Sequence, residues 1–414
     1  MNKLYKLTLF AIFFIPLSTT LQYFIGSSRF LLLGDVWYVN YIAMFMMFGM
    51  GSAFVLWKFN KWMSIFLIVN LFSVIVGFNG DRFVALQTPQ GMILFIQLTF
   101  SLLAIYAISK FSHKQRKAIY EALICLLIIQ GLWVITQSLD MDPIFKGFGT
   151  YMKGGQINDT VGLSGSHNQI GVFFAILTPL AVIAYPWAIP FIVFGLWCST
   201  TSAAWLSFSF SIIWLSRKTK LLRIAILFLL VSTFIFYGKY ENISKSVLRE
   251  RALLWKNTIS QVNAGQIRMT KENVIEIQRT IPWLGFRLAN FSRLSPYSQK
   301  EYLYEKCEYD GTSITNADVC EYNKHVYMHA HNDYLEVLFE LGRIGFISLL
   351  LIILHFIYCY IISKKTKILR ISFYSILAQM ICSLAVFTVH TAIGGMLLII
   401  NLGVFFGEWR DINE

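Results

Sequence analysis

Apolar stretches of roughly membrane-spanning length recur along almost the whole chain. A spanning helix needs about 20 mostly apolar residues, and about 12 segments qualify or come close. They lie near 4–24, 37–57, 62–79, 89–109, 118–138, 169–184, 186–200, 202–216, 221–239, 333–363, 371–390 and 391–409. The seventh and eighth are short and poorly separated. Charged residues make up 14% of the sequence, against roughly 25% in an ordinary soluble domain, and the mean hydropathy is +0.59. The expected fold class is all-α: a polytopic integral membrane protein with about 12 transmembrane helices and one large external loop containing short helices. Residues 1–239 would hold helices 1–9, 240–332 the loop, and 333–414 helices 10–12.

The net charge of +13 would suit nucleic acid if it were pooled on one surface, but it alternates with the spans. Lys58 and Lys61 fall in one link. Lys110, Lys114, Arg116 and Lys117 fall in another, as do Arg217, Lys218, Lys220 and Arg223, then Lys364, Lys365, Lys367 and Arg370. The positive-inside rule places all of these, and both termini, in the cytoplasm. The charge is thus a topology signal, and no nucleic-acid partner is expected. Lys3 and Lys6 before an apolar run look like a signal peptide, but no small-residue cleavage site follows, so this segment reads as an uncleaved first helix.

The opposite side holds the links at about 25–36, 80–88 and 139–168, and the long loop 240–332. A loop of that length is usually functional or disordered. Helix-like patterns run from Ser244 to Val262 and from Lys271 to Ile281, which favours order. Cys307 and Cys320 lie together in the loop, where an oxidising compartment permits pairing. The nearby His325 and His329 match no familiar zinc spacing, and no metal site is expected.

The chain re-enters the apolar region at His331-Asn332-Asp333-Tyr334-Leu335-Glu336, and Gly342-Arg343-Ile344-Gly345 follows after nine residues from Asn332. Asn332 is a good helix N-cap, and Asp333 and Glu336 suit the positive end of the helix dipole. Glu336 and Glu340 share a face. Gly342 and Gly345 let a neighbouring helix approach closely. His331 stands just outside the first turn, where an ionisable imidazole meets the water interface. Taken alone, it reads most simply as an interfacial residue beside a capped helix.

The whole block says more. His-Asn-x9-Gly-x-x-Gly resembles the signature of the bacterial O-antigen ligase and polymerase superfamily, which also includes protein oligosaccharyltransferases. Gly162-Leu163-Ser164-Gly165-Ser166-His167-Asn168 resembles that family's Gly-x-x-x-Asn-x-Asn element. Arg251-Ala252-Leu253-Leu254-Trp255 resembles its Arg-x-x-x-Trp block. Pro282-Trp283-Leu284-Gly285-Phe286 resembles Pro-x-x-Gly-x-Gly, with Arg287 at the second glycine. One departure stands out: Ser202 in Thr201-Ser202-Ala203-Ala204 occupies the place of an expected arginine. The resemblance implies a multi-pass protein of the bacterial inner membrane with its active site facing the periplasm. It implies transfer of a glycan from an undecaprenyl-diphosphate donor to an acceptor hydroxyl, with no metal and no cofactor.

The residues fit such chemistry. A base must take the acceptor proton, and histidine, with an ordinary pKa of about 6.5, is suited to it. Cations must stabilise the departing diphosphate, and arginine's planar fork matches phosphate oxygens. The candidates are His331 as base and Arg251 on the diphosphate. Arg82 or Arg287 would give support, and His167, Asn168 and Asn332 would touch substrate; His390 is a weaker candidate. No nucleotide-binding fingerprint is present. The expected acceptor is the lipid A core. Polymerisation of repeat units on the same carrier and protein O-glycosylation are the neighbouring alternatives. A non-catalytic transporter is the alternative of a different class; its usual signs, mid-span charges and repeated halves, are scarce.

Overall fold

A computed structural model of the 414-residue chain describes residues 5–6, 8–10, 38–76, 88–139, 141, 162, 167–199, 201–215, 254–256, 258–264, 266–271, 274–279, 283, 285–286, 331–386, 388 and 391–413. The elements are α1 (Tyr38–Phe59), α2 (Lys61–Val76), α3 (Thr88–Ser109), α4 (His113–Ser138), α5 (His167–Ala184), a 3-10 turn (Pro186–Ala188), α6 (Ile189–Ser199), α7 (Ser202–Leu215), β1 (Gln266–Lys271), β2 (Val274–Arg279), α8 (Asp333–Ile362), α9 (Lys367–Cys382) and α10 (Ala392–Asn413). The architecture is helical with a single two-stranded hairpin among the described residues. Among the described residues three helices are long and apolar enough to cross a membrane: α4, α8 and residues Ile393–Asn413 of α10. The helices α6 and α7 have 11 and 14 residues, each short of the roughly 20 that a span needs. The expected segment near 221–239, and most of the one near 4–24, lie outside the described residues.

The chain forms two compact units. One comprises Met1–Gly34, Ala104–Tyr240 and Ile357–Glu414. Its core is built around α5, whose Ile170, Phe173, Phe174, Ile176 and Leu177 are buried with Leu123 and Leu127 of α4, Leu196 of α6, Phe208 of α7 and Leu397 of α10. A helix that is apolar on every side belongs inside a bundle. Gly195 of α6 packs so close to the Phe174 ring that a Cβ there would overlap it. Polar side chains tie the helices at chosen points: Ser207 Oγ donates to the Ala378 carbonyl at 2.7 Å, and Gln379 Nε2 to the Gly394 carbonyl at 2.8 Å.

The same unit buries a charge cluster where α4, α9 and α10 meet. Ser112 caps α4 in a reciprocal box with Gln115. One turn on, Arg116 is fully buried. It donates to the Phe111 carbonyl and to Asp411 and pairs with Glu408 at 3.2 Å. Glu408 also meets His113 Nδ1 at 3.1 Å and accepts from Thr366, the N-cap of α9, at 2.9 Å. The sequence reading counted Arg116 among the basic residues that mark topology; in the structure it is also buried, compensated by Glu408 and Asp411 of α10.

The second unit comprises Asp35–Leu103 and Glu241–Phe356. In it α1 and α2 form an antiparallel pair turned by Asn60, whose Oδ1 accepts from the Trp62 and Met63 amides at 3.0 and 3.3 Å. The long loop expected at 240–332 has helical turns at 254–256 and 258–264, overlapping the first stretch expected to be helical. The second expected helix, from Lys271 to Ile281, is instead half of a β-hairpin with Gln266 opposite Arg279 and Lys271 opposite Val274. The reason is the period. Ile275 and Ile277 alternate with Glu276 and Gln278, and strict alternation of β-branched with polar residues favours a strand.

Candidate functional site

The histidine block builds a distinct local structure. The Asn332 side chain caps α8, its Oδ1 accepting from the Tyr334 and Leu335 amides, both at 3.1 Å. The Asn332 carbonyl takes the Glu336 amide at 3.1 Å, so the first turn is closed from both sides, as expected for a capped start. His331 precedes it with φ +50°, the one non-glycine residue in the left-handed region among the described residues. Histidine visits this region more readily than most side chains. The ring is half-buried rather than fully at the water interface.

Asp333, Glu336 and Glu340 are all buried, with 6%, 3% and 5% exposure. The sequence placed Glu336 and Glu340 on one face; that face turns inward. Carboxylates are seldom buried without partners, and all three engage in polar or electrostatic contacts.

At Gly342 the helix breaks, with φ 64° and ψ −163°. An unbroken span from 333 to 363 was expected; the helix instead has two parts, 333–341 and 343–362. In a continuous helix the Phe339 carbonyl would accept the amide four residues on, and the Ile344 amide would donate to residue 340. Here the Phe339 carbonyl accepts from Phe286 at 2.7 Å, and the Ile344 amide donates to the Trp283 carbonyl at 3.1 Å. A turn of the long loop between α7 and α8 has taken the place of the missing helical partners. A neighbouring helix was expected to approach at the glycines, and this turn takes that role at Gly342.

Gly285, at the centre of that turn, has φ 69°. Its absent side chain is required twice over: a Cβ would overlap the Gly342 backbone nitrogen and lie 2.6 Å from the Glu340 carbonyl oxygen. The relation is mutual, since a Cβ on Gly342 would overlap Gly285 and lie 2.5 Å from the Trp283 oxygen. The Phe286 and Phe339 rings stack at 4.7 Å between centroids. The Arg343 guanidinium lies 5.4 Å from the Trp283 ring centroid and 3.4 Å from Asn263 Oδ1, a cation–π arrangement. Trp283, Gly285 and Phe286 of the Pro-Trp-Leu-Gly-Phe element, far away in sequence, therefore pack onto the helix that the His-Asn block opens.

The other unit holds the glycine and asparagine element before α5. Gly162, at φ 57°, is gripped by Gln137 of α4, whose Oε1 accepts the Gly162 amide at 2.8 Å and whose Nε2 donates to its carbonyl at 3.2 Å. Gln130, one heptad earlier, is fully buried, and its Oε1 would lie 2.8 Å from a Cβ at 162. Asn168, in the first turn of α5, accepts from Thr201 Oγ1 at 3.4 Å. The Asn element thus abuts the Thr201-Ser202 stretch that departs from the family pattern. Gln130 and Gln137 did not figure among the sequence candidates. Their signal was two amides seven residues apart on an otherwise apolar helix.

Among the sequence candidates, His331 and Asn332 form the start of α8, and Asn168 lies in the other unit. His167 is the first residue of α5. Arg251, Arg82, Arg287, His390, Cys307 and Cys320 lie outside the described residues. Comparison with known proteins returned no match: no family model, no curated protein and no solved structure is similar to this chain.

Proposed function

We propose that this chain is a polytopic inner-membrane glycosyltransferase of the O-antigen ligase type. It moves a glycan from an undecaprenyl-diphosphate donor to an acceptor hydroxyl on the periplasmic face, with the lipid A core as acceptor. The observation that carries the reading is the docking of the Trp283–Phe286 turn onto the Gly342 break in the His331 helix. Two sequence elements with separate family resemblances meet there, which chance similarity in either one would not require. The long apolar helices and the alternating basic clusters support the membrane setting.

In this reading His331 takes the proton of the acceptor hydroxyl as its oxygen bonds to the anomeric carbon. The bond from that carbon to the diphosphate breaks, and the diphosphate leaves with the electron pair. Arg251 stabilises the departing charge, assisted by Arg82 or Arg287, while Asn332 contacts the substrate. Fixed cations in a partly dry pocket commonly supply the largest share of such stabilisation. The reaction so written needs neither metal nor nucleotide.

Reconstitution in proteoliposomes with a polyprenyl-diphosphate glycan and each candidate acceptor tests the assignment. Glycosylated lipid A core is the expected product. Lengthened carrier-linked glycan would instead mark a polymerase, glycosylated protein would mark a protein oligosaccharyltransferase, and solute flux without transfer would mark a transporter.

A further inference from the structure

We infer that Gly285 and Gly342 are positioning residues that set the direction of the His331 segment. The inference rests on the base role given above to His331. Residues 333–341 are tied at one end by the Asn332 cap and at the other by the turn, through Phe286 to Phe339 and Trp283 to Ile344. The helical ladder is interrupted between them at Gly342. The segment's direction is therefore not inherited from the long helix 343–362 but imposed by the external loop. The buried Phe286 and Phe339 rings, stacked at 4.7 Å, resist sliding along this joint. Both glycines are held at positive φ with backbone against their Cα atoms, so neither can acquire a side chain without prising the turn from the helix. With the turn displaced, the Ile344 amide would recover its ordinary acceptor at residue 340, and the two helical parts would tend to align into one rod. The imidazole would then point elsewhere. A misplacement on the order of 1 Å in a reacting group is enough to cost about 100-fold in rate.

The test compares Gly285→Ala, Gly342→Ala, the double variant and Phe286→Ala in the full chain. Phe286→Ala leaves both glycine backbones unstrained and loosens the same joint by removing its stacked ring, so it should lower kcat in the same direction, and unchanged kcat in it would count against the proposal. Turnover is measured with undecaprenyl-diphosphate-linked glycan and lipid A core, and amide hydrogen exchange is followed across 333–344. The expected result is a fall in kcat of about 10- to 100-fold for each glycine variant, with KM for the donor changed less than about threefold. The double variant should be no worse than either single one, as for two residues serving one contact, and exchange should quicken at 333–344 alone. Unchanged kcat per folded molecule, additive losses, or exchange quickened throughout the chain would overturn the proposal. His331→Ala, run alongside, separates the two claims. Full transfer in that variant removes the base assignment, whereas loss of transfer there with normal glycine variants removes only the positioning role.

Discussion

Gly285 and Gly342 lie backbone to backbone, each occupying the space that the other's side chain would need. They are 57 positions apart in sequence by their numbering, and the contact makes a loop turn part of the hydrogen bonding of an apolar helix. A helix interior normally excludes such a partner because its amides and carbonyls are already used. The positive φ at Gly342 releases them, and the turn uses one of each.

Replacing His331 with alanine should abolish most glycan transfer, by about 10²- to 10⁴-fold for loss of a general base, while leaving membrane insertion intact. Product analysis in proteoliposomes, beside quantification of protein in the membrane fraction, checks both halves.

Asn332→Ala removes the side-chain cap on the first turn of α8 and should cost about 1 kcal/mol. Asn332→Asp keeps an acceptor oxygen and should retain most of that stability. Thermal unfolding in detergent orders the three proteins; equal midpoints for the alanine and aspartate variants would show that the cap contributes nothing.

Glu408→Gln takes the more buried of two carboxylates from Arg116 and leaves Asp411 in place, so it should destabilise by about 1–3 kcal/mol, as for one lost charge-assisted contact. Asp411→Asn should be milder, because the Asp411 side chain is 40% exposed and water can replace part of what is lost. Limited proteolysis of the C-terminal helix should rank Glu408→Gln above Asp411→Asn above the parent.

Gln137→Leu strips the Gly162 backbone of a donor and an acceptor together, an expected loss of about 1–3 kcal/mol per buried group left unmet. Gln137→Glu keeps the acceptor for the Gly162 amide but sets a carboxylate against its carbonyl, so it should not restore the parent. Amide exchange at Gly162 is the direct readout, and unaltered protection in Gln137→Leu would mean that the glutamine is a bystander.

The sequence showed where helices lie and how α8 begins, because both depend on local signals. Apolar length marks a helix, and an asparagine before acidic residues marks a start. It did not show the break at Gly342. Glycine in an apolar helix ordinarily serves close packing, and the partner that makes a break favourable lies elsewhere in the chain. The hairpin at 266–279 was legible in principle, since Ile275 and Ile277 alternate with polar residues, but a short run of that kind also fits one turn of helix. The burial of Glu336 and Glu340 depends on which face of the helix packs inward, and no local pattern encodes that. The same holds for Arg116, whose compensating acids lie near the opposite end of the chain. Gln137 was hidden for a different reason: an amide in an apolar helix announces a polar need without naming what it serves.

The backbone at His331 carries a last implication. A left-handed conformation at a side-chain-bearing residue costs on the order of 1–2 kcal/mol, and glycine would relieve it. Under the base role proposed for His331, a chain with glycine there would lose its imidazole and keep its fold. Such a protein would accumulate in full number without transferring glycan.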